Sequence, residues 1–276
     1  MNFRVLTVSM FLIIAMPKIA LSGNKKCTDL QNVVRAETIN GKSNINPELI
    51  VKTNKSRVYF YTAPDDSCIQ EDKFVIAGDF LYAYKRHNDF IYVNYFNSKG
   101  VIANGWIKNI DINKFNPVGV NAYKSEINIT DFIVLDNGNW FGLGTVLSKN
   151  SGLLKKTETS SEYIGDFPNE SGGLNKFYSH SFNDLNIISS NLNYSARLWT
   201  IDDEYIISNI ILTSPNYKTI RNIKVGDKKE SILKSYSGNN YEELSGNIVY
   251  RFGQMSLTFN LQDNKITSIE MSSIPE

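Results

Sequence analysis

Cysteine and histidine are scarce in this 276-residue chain, which holds two of each. That scarcity leaves little material for a zinc site or a thiol–imidazole pair. A His-Glu-x-x-His run is absent, and so is a Gly-x-Ser-x-Gly elbow, so zinc and serine hydrolase readings lack their ligands or nucleophile. Gly142-x-Gly144 is not followed by a third glycine or by a phosphate-cradling helix. Neither sign of charge dominates: 29 Lys and Arg stand against 28 Asp and Glu, which argues against nucleic acid as a partner. No segment approaches the ~18 apolar residues of a spanning helix. No cofactor or metal is implied.

What is present begins at the N-terminus. Arg4 precedes an apolar run from Val5 to Met16, and Ala20-Leu21-Ser22 places small residues before Gly23. This is the pattern of a secretory signal peptide over residues 1–22. It predicts a periplasmic or secreted protein. Cys27 lies too far past Leu21 for a lipid anchor, so the mature chain is expected to be soluble. In an exported chain the pair Cys27 and Cys68 reads as a disulfide, which would tie the segment 23–49 to the next domain and contribute roughly 3–4 kcal/mol. A catalytic thiol at Cys68 would need a histidine base, and neither His87 nor His180 sits in a cysteine-hydrolase context.

Fifteen Tyr and fifteen Phe fit a β-rich chain. From Arg57 to Ile110, short aromatic stretches alternate with turn residues. Val58–Tyr61 ends at Ala63-Pro64, Gly78-Asp79 precedes Phe80–Tyr84, and His87-Asn88-Asp89 turns into Phe90–Tyr95. Asn104-Gly105-Trp106-Ile107 closes the set. Short strands at this spacing predict a small barrel or sandwich.

The Ala63-Pro64 ending, the Gly78-Asp79 step, Phe90-x-x-Val93-x-Tyr95 and Gly105-Trp106-Ile107 together resemble the bacterial SH3-like family of exported proteins. The resemblance implies an SH3-like barrel over residues 50–112 that binds a peptide, a cell-wall fragment or a neighbouring domain. Tyr61, Tyr84, Tyr92 and Trp106 are the candidates for its aromatic groove, with core packing as the competing role for each ring.

Residues 113–276 read as an α+β domain with an antiparallel sheet. Asp227 is expected to cap a helix, with Glu230 completing a capping box and Ser237-Gly238 ending it. Strands follow at Ile248–Phe252, Ser256–Leu261 and Ile266–Met271. Ile207–Ser214 matches Ile266–Ser273 in pattern, and Leu143-Gly144-Thr145 echoes Val225-Gly226-Asp227. A duplication over 130–214 and 222–273 is one explanation; independent strand alternation is the other. The Gly226-Asp227 step, helix and meander resemble SmpA-type modules and tandem-repeat β-lactamase inhibitor proteins. That resemblance implies a sheet presented to another protein.

The expectation is a mainly β, non-enzymatic protein-binding module, an immunity or inhibitor protein acting on a toxin or cell-wall hydrolase. The alternative is a peptidoglycan-binding protein that uses the aromatic groove. The loop 166–173 and the turn Asp202-Asp203 are candidate contacts. An acid–base role for Asp202, Asp203 and Glu204 competes with a plain solvated turn.

Overall fold

The computed structural model describes residues 25–34, 44–97, 102–119, 126–147, 156–168, 174–191 and 205–273. The proposed signal peptide, Asp202, Asp203 and positions 169–173 of the candidate loop lie outside the described residues. Most of the described chain is antiparallel β-structure.

Residues 25–34 form a helix, α1. Seven strands follow: β1 (Asn44–Thr53), β2 (Val58–Tyr61), β3 (Ile69–Val75), β4 (Phe80–His87), β5 (Phe90–Phe96), β6 (Ile102–Lys108) and β7 (Ile112–Lys114). They hydrogen-bond in the order β3-β2-β6-β5-β4-β1-β7, a half-barrel whose interior is filled by Val58, Phe60, Val75, Leu81, Ala83, Ile91, Val93 and Ile107. The strands from Val58 to Lys108 fall where aromatic alternation places them. Two elements extend the sheet beyond the expected 50–112. β1 carries Pro47 and a register break between Asn44 and Leu49, and β7 is only three residues long, so neither shows a clean period of two. Gly105 has φ +153°, and a Cβ there would meet Phe60 Cδ1 and Tyr61 O at 3.1 Å, so glycine lets β6 run against β2.

The chain continues through β8 (Ile133–Asp136), β9 (Asn139–Gly142), β10 (Ser160–Pro168), β11 (Leu174–Phe182), β12 (Leu185–Ser190), β13 (Ile206–Leu212) and β14 (Lys218–Thr219). Helix α2 (Lys229–Ser235) comes next, then β15 (Glu242–Leu244), β16 (Asn247–Phe252), β17 (Met255–Gln262) and β18 (Lys265–Ser272). Strands β14-β8-β9 make a small sheet. The other eight run β10-β11-β12-β13-β18-β17-β16-β15. This larger sheet is two four-strand meanders meeting where β13 pairs with β18, Ile210 opposite Met271.

The Gly-x echo has matching geometry in both meanders. Gly144 N–H donates to Ile207 O at 2.8 Å, and Ile207 N–H donates to Thr145 O at 2.8 Å. Gly226 N–H donates to Ile266 O at 2.8 Å, and Ile266 N–H donates to Asp227 O at 2.9 Å. Both glycines have positive φ, +79° and +91°, which a side chain would resist.

The capping expectation at Asp227 is corrected. Helix α2 begins after Lys228 and has no side-chain cap. The Asp227 backbone is held by Ile266, so its carboxylate faces back and accepts from Lys224 N–H at 3.0 Å instead. Glu230 accepts from Asn264 Nδ2 at 2.9 Å. The chain's capping box lies at the short 3-10 turn Ile129–Phe132, where Asn128 and Asp131 satisfy each other's end of the turn.

One core binds the second unit, drawing on β8, β9, both meanders and α2 through Ile232 and Tyr236. Tyr82 of β4 enters the same core, with Phe80, Tyr84 and Phe96 packed beside it, so the half-barrel and the sheet share apolar contacts. Within the core sits an ion pair. Arg221 Nε donates to Asp131 Oδ1 at 2.5 Å and Nη2 to Oδ2 at 2.9 Å, while Nη1 reaches Ser235 O and the guanidinium lies 4.4 Å from the Tyr236 ring centre. Removing one partner of a buried pair strands the other charge. Asp131→Ala should therefore lower unfolding stability by about 3–5 kcal/mol in urea titrations, and Asp131→Leu combined with Arg221→Met should recover most of that loss.

Candidate functional site

Three of the four aromatic candidates come together. Tyr61 pairs across strands with Trp106, which pairs with Tyr92, and the Tyr92 ring stands edge-on to the indole with centroids 5.4 Å apart. Phe90 meets Tyr61 in the same way at 5.1 Å. Tyr84 is elsewhere, half-buried against the core shared with the second unit.

This aromatic face is covered by the chain itself. Val34 is buried among Tyr61, Phe90 and Trp106, with Leu30 packed beside it, and Trp106 Nε1–H donates to Gln31 Oε1 at 2.9 Å. Cys27, Leu30, Gln31 and Val34 follow the spacing of one helical face. The Cys27–Cys68 disulfide is formed, with Cα atoms 5.7 Å apart, and it holds α1 against the loop after Pro64. Trp106 is 2 % exposed and Tyr61 8 %. Their rings serve packing between helix and barrel, the role that competed with ligand contact in the sequence.

Asp65 organises the loop that carries Cys68. Its carboxylate accepts from Ser67 Oγ and from Ser67 N–H at 2.9 Å, and from Lys26 Nζ of α1 at 3.2 Å. The Ser67 hydrogen bonds lead, and they hold the carboxyl down at about 2.

A second polar cluster has no counterpart in the sequence reading. His180 of β11 lies with Nδ1 2.7 Å from Glu158 Oε1 and Nε2 2.8 Å from Ser189 Oγ of β12, and Ser161 Oγ stands 3.3 Å from Nδ1. A carboxylate accepts, so Nδ1–H donates to Glu158 and Nε2 accepts from Ser189. The order hydroxyl–imidazole–carboxylate is that of a nucleophile activated by a base. Ser189, however, is 1 % exposed and sits in an interior strand with ladder partners on both sides. The arrangement stitches three strand segments together and presents no open hydroxyl. Among the described residues no group of three His, Cys, Asp or Glu side chains is placed to hold a metal, and no helix is long and apolar enough to cross a membrane.

Among the described residues, the β10–β11 hairpin holds four of the exposed large apolar side chains. Tyr163, Ile164, Phe167 and Leu174 are 55, 47, 49 and 50 % exposed. Only the end of β10, Asp166–Pro168, belongs to the candidate loop 166–173. Tyr163 donates to Asp166, which with the phenol's other neighbours pushes it up to about 12. The signal was present in Tyr163-Ile164-Gly165-Asp166-Phe167, an aromatic stretch without clean alternation. A bulge explains the broken period, since Tyr163 pairs with Tyr178 but Gly165 with Phe177. Comparison of the chain with protein-family models, curated proteins and solved structures returned no match.

Cys27→Ser and Cys68→Ser should each cost roughly 3–4 kcal/mol in urea unfolding, and in both variants Trp106 should become open to acrylamide quenching. A carboxyl held below its ordinary value stabilises above that value and loses its effect as pH falls through about 2. Asp65→Asn should therefore be less stable than the natural chain by a constant margin above about pH 5, and that margin should vanish toward about pH 2 in acid titrations.

Proposed function

We propose that this chain is an exported, non-enzymatic protein-binding module, an immunity or inhibitor protein that blocks a secreted toxin or cell-wall hydrolase. The observation that carries the reading is the β10–β11 hairpin, which exposes large apolar side chains on both faces, Tyr163 and Leu174 on one and Phe167 on the other. Solvated aromatic and aliphatic anchors of this kind supply most of the affinity of protein interfaces. The disulfide supports an oxidising compartment, where such bonds persist.

The finer readings have support of their own. Strand order and the aromatic β5–β6 pair favour an SH3-like ancestry for the half-barrel. The matching Gly144–Ile207 and Gly226–Ile266 clamps favour duplication of the second unit. The peptidoglycan reading is the weaker one, because a stem peptide would have to displace α1 to reach Trp106 and Tyr61. Tyr84 is no better placed, being half-buried at the junction of the two units.

A photo-crosslinking side chain at position 163, introduced into the exporting cell, should trap a discrete protein partner. The double substitution Tyr163→Ser and Phe167→Ser should abolish capture of that same partner from a second site while leaving thermal unfolding within about 1 kcal/mol of the natural chain. Retention on sedimented peptidoglycan without a trapped protein would replace this reading with the wall-binding one. Labelling of Ser189 by a fluorophosphonate would defeat its non-enzymatic part.

A further inference from the structure

Sheet edges offer unpaired backbone N–H and C=O groups, and folded proteins usually blunt them with short strands or charge. The other described edges of this molecule follow that practice, and β10 follows it only through Glu162, Asp166, the bulge at Ile164 and Pro168. β7, β14 and β15 have three residues or fewer, and β15 carries Glu242 and Glu243. β9 has four residues, and β3 carries Glu71, Asp72 and Lys73 in succession. β10 differs. It has nine residues, pairs with β11 on one side, and has no described strand on the other. Its side chains are exposed on both faces, Tyr163 on one and Phe167 on the other, with no lysine or arginine among them.

We infer that the outer edge of β10 receives an extended segment of the partner protein by strand addition, and that this segment is basic and apolar in alternation. The inference rests on the protein-binding reading and specifies how the hairpin would be used. Main-chain hydrogen bonds to β10 supply the attachment, and its side chains select the sequence. The bulge at Ile164 and Pro168 at the strand end confine regular pairing to Ser160–Tyr163, with the Ile164 side chain as an apolar anchor beyond it. Charge decides the occupant. Glu162 lies within the pairing stretch, Asp166 beyond it already stands opposite Lys176 of β11, and β10 itself carries no base, so a segment with a cation opposite Glu162 is favoured. A second copy of β10 offers no base to pair with Glu162 and is disfavoured for the same reason.

The test uses the full mature chain and two synthetic peptides, one alternating valine with lysine and the other valine with glutamate. The lysine peptide should bind and slow hydrogen exchange of outward amides within Ser160–Tyr163, and Glu162→Lys should weaken it by about tenfold or more. Equal binding of the glutamate peptide, protection at another strand, or no binding of the lysine peptide would each overturn strand addition. Concentration-dependent self-association relieved by an edge substitution in β10 would overturn it in favour of a second copy. If crosslinking from position 163 still traps a protein while the β10 amides exchange freely in that complex, the protein-binding reading stands and this mode of contact falls.

Discussion

The pairing of β13 with β18 is the constraint on which the architecture turns. It joins two meanders that would otherwise be separate four-strand sheets, and it sets Ile210 and Leu212 against Met271 and Ile269 in the middle of the main core. Each of these strands is fixed at its start by a Gly-x turn that exchanges two backbone hydrogen bonds with it. A register slip of one residue would turn the apolar row of either strand away from the core. The seam therefore decides which face of all eight strands is covered. Helix α2, β8 and β9 then pack on that face, and Arg221 with Asp131 spans the gap between them.

Elements with strong local periodicity were legible in the sequence. Val58–Tyr61, Phe80–Tyr84, Phe90–Tyr95 and the last three strands all lie where alternation and turn residues put them. Elements held by distant partners were not. Asp227 has the residue type and spacing of a helix cap, yet its backbone is claimed by a strand 39 residues away in the chain, and the side chain turns to another donor. Arg221 and Asp131 are 90 residues apart and carry no local signal of each other. β1 was obscured by Pro47 in its own sequence and by a register break that belongs to its pairing with β4.

The disulfide was readable from two cysteines in a chain expected to be exported, but its consequence was not. It places α1 on the face formed by Tyr61, Phe90 and Trp106, so the aromatics that look like a binding groove in sequence become the floor under a helix. The helical face Cys27, Leu30, Gln31 and Val34 was present at the right spacing, and what was missing was its target. Aromatic residues in a small barrel have two uses with the same composition, and only the location of the covering segment separates them.

The two meanders also show why the hairpin can stand exposed. Register equivalence sets Ser189 and His180 of the first where the second has Leu261 and Ile248, which pack in the core near α2. Apolar burial holds β16 and β17 together there. In the first meander the Glu158–His180–Ser189 chain takes over part of that work, joining the segment before β10 to β11 and β12 through directional contacts near 2.8 Å. A strand fastened by hydrogen bonds does not need its apolar side chains for cohesion. Tyr163, which pairs with Tyr178 on the His180 face of the hairpin, is thereby released from holding the strands together, and its exposure follows from how the hairpin is held.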